Sequence, residues 1–241
     1  MLQAQYPTVL AIDTATEYGS VALVHGGHTR QRMELLGQGH SRVLLPWIHD
    51  MLQQANLSVA ACDAIAFGAG PGSFTGLRIA CGVAQGLAWG CRKPLIAVGN
   101  LKAMAWQAAQ EAGQGACRVV CAIDARMGEV YWALFDVADD HVDEVVPPSL
   151  AGASQWIDEA LPYRPALVAG NALTVFDLAW PDASARCLQG LRVCAATVAG
   201  LAVSDLRVGR TMEPAQASLL YVRNQVALTI EQRAAAKAGE A

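Results

Sequence analysis

The stretch from Asp63 to Gly90, DAIAFGAGPGSFTGLRIACGVAQGLAWG, constrains this chain more than any other. It reads as a short apolar strand (Ala64 to Phe67), a loop carrying Gly68, Gly70 and Gly72, and then a helix. Ser73 or Thr75 is expected to cap that helix and Gly90 to end it. Free N–H groups at a helix N-terminus attract anions, which leaves anion binding open beside a purely structural turn. The known phosphate-loop patterns fail here. No lysine follows a loop glycine as a Walker loop requires, and Ser73 stands where a dinucleotide fingerprint needs its third glycine. Pro71 and Thr75 flank Ser73 where a nucleophile elbow needs glycines.

The helix behind the loop is the stronger clue. Gly76, Gly82 and Gly86 lie inside it, and each costs roughly 1 kcal/mol relative to alanine. Gly82, Gly86 and Gly90 are spaced by four, as are Gly76, Ala80, Ala84 and Ala88. Small residues so placed let another backbone approach closely, either within the lobe or from a second molecule. The preceding helix, expected over Arg42 to Ala55 with Ser41 as cap, has Leu44, Trp47, Ile48, Met51, Leu52 and Ala55 on one apolar face.

Along the chain, Thr8 to Ile12, Ser20 to Val24 and Thr29 to Leu35 read as strands, with a tight turn at Gly26-Gly27. Pro94 to Val98 is a buried strand and Asn100 to Ala112 a helix, followed by a linker at Gly113 to Gly115. The triplet Ala-Ile-Asp then recurs. It closes an apolar run at Asp13 and again at Asp124, each time before a turn and another strand. Asp139 to Pro148 reads as an acidic loop, Ser154 to Ala160 as a short helix, Ala166 to Ala169 as a strand with a helix after it to about Ala179, and Ala195 to Val208 as a helix. The expectation is an α/β fold with mixed sheets in two related lobes, 1–112 and 113–214, with residues 215–241 packing back on the first. Asp13 and Asp124 are the only acids placed symmetrically. They suit a divalent cation with a nucleotide phosphate, or each caps its own turn.

Of the 241 residues, 54% are hydrophobic and only 16% charged, which raises the odds of an apolar surface buried against a partner. The net charge of −4 argues against a standalone nucleic-acid binder. No apolar run reaches the ~20 residues of a membrane span, and the N-terminus lacks a basic n-region. Seven cysteines with no C-x-x-C pair read as reduced cytoplasmic thiols.

Taken in order, AIDTATEYGSVAL, GHSRVLLPWI, GAGPGSFTGLRIACGVAQGLA, IDARMGEVYWALF and YVRNQVA resemble the bacterial TsaB (YeaZ) family, over most of residues 8–136 and 221–227. The resemblance implies a two-lobed actin/sugar-kinase-like (RNase H-like) fold. It also implies a role in forming threonylcarbamoyladenosine next to the anticodon of tRNAs that read codons starting with adenine. The partner it implies is the catalytic paralogue TsaD, with the ATPase TsaE as third member, a homodimer when the chain is alone, and tRNA only through the complex. No catalytic residue and no metal are implied for this chain: the two histidine positions of TsaD fall on Asn100 and Met104, a neutral amide and a soft thioether. No cofactor is assigned to it beyond a vestigial role for Asp13 and Asp124, with ATP left open for the assembled complex. The family pairs through helices that correspond to Arg42–Ala55 and Thr75–Trp89. The expected interface is therefore Leu44, Trp47, Ile48, Met51, Phe74, Thr75, Arg78, Ile79, Gly82, Val83 and Gly86. The competing expectation is an autonomous ATP-binding hydrolase or metallopeptidase-like enzyme of the same superfamily.

Overall fold

The computed structural model describes residues 6–37, 39–138 and 141–223. Lobe one is built on β1 (Val9–Asp13), β2 (Tyr18–His25), β3 (His28–Leu35), β4 (Ala64–Gly70) and β5 (Leu95–Gly99), in the order β3-β2-β1-β4-β5. Lobe two is built on β6 (Ala116–Arg126), β7 (Glu129–Ala138), β8 (His141–Gly152), β9 (Leu167–Ala169) and β10 (Arg186–Leu188), in the order β10-β9-β6-β7-β8. Counted from β1 and from β6 the two orders are the same. In each, the first three strands are antiparallel and the last two join in parallel. The repeated strand–Asp–turn–strand is thus the visible part of a repeated lobe, the two-lobed actin/sugar-kinase-like arrangement.

The continuous apolar runs follow from burial on both faces. Helices α1 (His40–Gln54) and α2 (Phe74–Cys91) cover the outer face of sheet one, where Leu10 and Ile12 meet Leu44, Trp47, Ile48, Phe67, Ala80 and Ala84. One residue on, the pleat turns Val9 and Ala11 inward, onto α6 (Ala195–Arg207). Sheet two repeats this. Val119 and Cys121 face inward toward α3 (Asn100–Ala112), while Val120 and Ala122 join Trp156 of α4 (Gln155–Ala160) and Leu173 of α5 (Ala172–Val175). The layers run outer helices, sheet, α3 with α6, sheet, outer helices. The two inner helices are exchanged: α3 packs chiefly on sheet two and α6 on sheet one, so a division at 112/113 does not coincide with the packing. Ser20 Oγ of β2 and Gln31 Oε1 of β3 accept the N–H groups of Ala195 and Ala196, a remote cap for α6. Met212 to Leu220 lies on lobe one, pairing with Leu95 and with Ala69. The expected tail beyond residue 223 lies outside the described residues.

Several local expectations are corrected. Residues 141–152 form a strand rather than an acidic loop. As an edge strand, β8 tolerates its exposed acids and Pro147-Pro148, beside which the register with β7 shifts. Ser41 lies within α1, which starts at His40 after Gly39 without a side-chain cap. Helix α2 runs past Gly90 to Cys91, and Arg92 takes the left-handed position beyond it (φ 52°). The helix expected to reach Ala179 stops at Val175.

Candidate functional site

The glycine loop is shaped by what it presses against. Ser73 Oγ accepts from the Gly76 N–H, which makes Ser73 the cap of α2, and the Ser73 N–H donates to Ala15 O at 2.7 Å. Thr14 Oγ1 donates to Gly76 O at 2.7 Å. A Cβ on Gly76 would overlap the Thr14 carbonyl oxygen, and one on Gly72 would lie 2.7 Å from Ala15 O. Gly72 and Gly76 therefore let the β1–β2 turn close onto the start of α2, where a phosphate loop would leave room for an anion.

Asp13 lies beneath this contact, fully buried. Its Oδ2 accepts from Asn100 Nδ2 at 2.6 Å and its Oδ1 from the Ala15 N–H at 3.2 Å. Asn100 Oδ1 in turn accepts from the Gly70 N–H at 2.7 Å, so the first side chain of α3 ties the end of β1 to the glycine loop. Burial pushes the Asp13 carboxyl up to about 6, with the bonds from Asn100 and Ala15 acting in the opposite sense. A Cβ on Gly68 would overlap the same carboxylate oxygen.

Asp124 is in a different position, on the wall of a cleft of about 570 Å³ between the lobes. Its Oδ1 accepts from the Arg126 N–H at 2.7 Å and its Oδ2 pairs with the Arg126 guanidinium at 3.1 Å. Its own N–H donates to Asn171 Oδ1. Each aspartate thus bonds the backbone N–H two residues on, the turn-capping alternative. The expected joint cation site is corrected accordingly, because Asp13 sits under the cleft floor with both oxygens engaged. Met104 is buried at the same floor, and among the described residues no three His, Cys, Asp or Glu side chains converge as metal ligands.

The two outer helices divide the expected interface. Leu44, Trp47, Ile48 and Met51 are buried within lobe one; these four are core and present nothing to a partner. An amphipathic helix on a sheet spends its apolar face on that sheet, so periodicity marked the wrong side of α1. On α2, Phe74, Thr75, Arg78, Gly82 and Gly86 are exposed, and Ile79 and Val83 are half-buried against the core. Nothing lies within 4 Å of a Cβ built on Gly82, Gly86 or Gly90. Phe74, Arg78 and these three glycines form one solvent-facing i, i+4 stripe, with the exposed Trp89 next to Gly90 on the same helix; Leu45 of α1 is exposed as well.

Comparison with known proteins decides the family. Residues 34–204 match the family model of TsaD, tRNA N6-adenosine threonylcarbamoyltransferase. The tRNA threonylcarbamoyladenosine biosynthesis protein TsaB of Escherichia coli K12 is 37% identical over 227 residues, covering 91% of this chain and 96% of that one. The chain belongs to the TsaB (YeaZ) family. The TsaB protein of Haemophilus influenzae is 51% identical over 126 residues, 52% of each chain. The solved structure of YeaZ from Pseudomonas aeruginosa superposes with a TM-score of 0.80 at 36% identity, over 89% of this chain and 99% of that one.

Within this TsaB-family chain, sequence reasoning missed two contacts around the cleft. One is Asn100 as the partner of Asp13, whose signal was an amide at the first helical position after Gly99. The other is Arg223, which lies in the quoted YVR motif and reaches across to lobe two.

Proposed function

We propose that this chain takes part in making threonylcarbamoyladenosine next to the anticodon of tRNAs reading codons that start with adenine, as a non-catalytic subunit that docks on TsaD. The observation that carries the reading is the open glycine stripe of α2. Gly82, Gly86 and Gly90 weaken the helix, and within the described chain no side chain or backbone uses the space they leave. A second helix laid along the stripe would gain close backbone packing, which offsets that cost. The docking surface is Phe74, Thr75, Arg78, Gly82 and Gly86 with Leu45 and Trp89, and the half-buried Ile79 and Val83 at its edge. TsaE joins the pair, ATP belongs to the assembled complex, and the free chain self-associates through the same face. With an acidic balance of its own, the chain meets tRNA through the complex. Asp13 and Asn100 hold the glycine loop and α2 in place.

The test is co-purification of tagged chain with TsaD from cells expressing both. Replacing Gly82 and Gly86 by leucine is expected to abolish capture while circular dichroism stays unchanged. Full capture by that variant contradicts the docking surface.

A further inference from the structure

We infer that Met212 to Arg223 is a strap that clasps the two lobes across the mouth of the cleft, with Arg223 as the clasp. The strap starts on lobe one, where Met212 exchanges two backbone hydrogen bonds of 2.9 Å with Leu95 at the edge of β5. Gln85 Nε2 of α2 donates to Pro214 O at 2.7 Å, and the Leu220 N–H donates to Ala69 O at 2.8 Å beside the glycine loop. Tyr221 then lies 6.4 Å from Phe74, centroid to centroid, with the Arg78 guanidinium over both rings. Up to this point every contact is with lobe one.

Arg223 crosses to lobe two. Its Nη2 donates to Ala125 O at 3.1 Å, lies 3.5 Å from Arg126 O and pairs with the Glu129 carboxylate, while Nη1 lies 3.5 Å from Met127 Sδ. The Arg223 side chain is 15% exposed and that of Glu129 38%, so the guanidinium is mostly sheltered while its carboxylate partner keeps contact with solvent, and the two carbonyl oxygens and the carboxylate are all met by Nη2. What it grips is the β6–β7 turn, where Arg126, Met127 and Gly128 all have positive φ (66°, 59° and 75°). Two of these are not glycine, a conformation that persists only when its surroundings hold it. The same hairpin carries Asp124 to the cleft wall, and Leu220 to Arg223 line the cleft from the other lobe. The clasp therefore sets how far the hairpin stands from the glycine loop, and with it the opening of the cleft. The strap shares Phe74 and Arg78 with the docking face proposed on α2, whereas the contacts of Arg223 itself involve neither.

Hydrogen exchange of the full chain, read by mass spectrometry, tests the clasp. In Arg223→Ala, amides of residues 125–130 and of Leu220 are expected to exchange about tenfold faster, with the 100–112 helix unchanged. Glu129→Gln, which keeps the carbonyl bonds, is expected to give a smaller acceleration at the same places. Hairpin exchange unchanged in Arg223→Ala overturns the clasp. So does an acceleration shared equally by residues 100–112, which would make Arg223 a general stabiliser of the fold.

Discussion

One helix carries two kinds of glycine, and the same substitution should act on them with opposite sign. Gly82 and Gly86 face solvent with nothing within 4 Å of an added methyl group. Alanine there removes the helix-propensity penalty, so each change should stabilise the isolated chain by about 1 kcal/mol. The two together should give about 2 kcal/mol. For a chain of this size, that raises Tm by roughly 4–8 °C at the usual 2–4 °C per kcal/mol. Gly76→Ala puts its methyl group into the Thr14 carbonyl oxygen, a backbone atom held by β1, and should destabilise by about 1–3 kcal/mol or more. Scanning calorimetry at a concentration where the chain is monomeric reads all three variants. The gain in stability should come with a loss of binding. Two added methyl groups hold a docked helix away, at a cost of about 1–3 kcal/mol, or roughly 5- to 150-fold in Kd for TsaD. A double variant that is less stable than the parent would show that the glycines serve the fold. One that is more stable and binds TsaD equally well would remove the stripe from the interface.

Three further outcomes are expected. Raising the Asp13 carboxyl from 3.8 to about 6 penalises the folded state once the group ionises. Its contribution is therefore free of penalty below pH 3.8 and is lost as pH rises through 6, a swing of roughly 3 kcal/mol. Urea unfolding of parent and Asp13→Asn between pH 4 and 7 should show the parent losing ground to the variant by that amount, and a pH-independent difference would refute the burial argument. Trp47→Ala should cost about 3–5 kcal/mol because the ring is core, whereas Trp89→Ala, at 65% exposure, should leave urea stability within about 0.5 kcal/mol and weaken TsaD capture. Gly68→Ala should fail to accumulate as folded protein, because its methyl group overlaps the buried Asp13 carboxylate, and a normal melting curve would argue against that packing.

The architecture was legible where burial leaves a pattern. Strands covered on both faces read as unbroken apolar runs, and the recurrence at Asp13 and Asp124 marked the duplicated lobe. Edge strand β8 was not legible, because acids and two prolines are compatible with an edge and read as a loop. The exchange of α3 and α6 between sheets leaves no local signal, since each helix is apolar whichever sheet it covers. The site was legible by half. The open glycines of α2 stood out by their helix cost, but hydrophobic periodicity pointed to the core face of α1, and a docking face of glycine and isolated exposed residues has no such period. The Asp13–Asn100 bond joins residues far apart in the chain, and only the parallel pairing of β1, β4 and β5 brings them together.

The most direct measurement is mass analysis of tRNA nucleosides from cells depleted of this protein and supplied with either the parent chain or the Gly82→Leu/Gly86→Leu variant. Depletion should remove threonylcarbamoyladenosine, the parent should restore it, and the folded variant should not. Normal threonylcarbamoyladenosine in depleted cells would contradict the assigned pathway, and full restoration by the variant would contradict docking through α2.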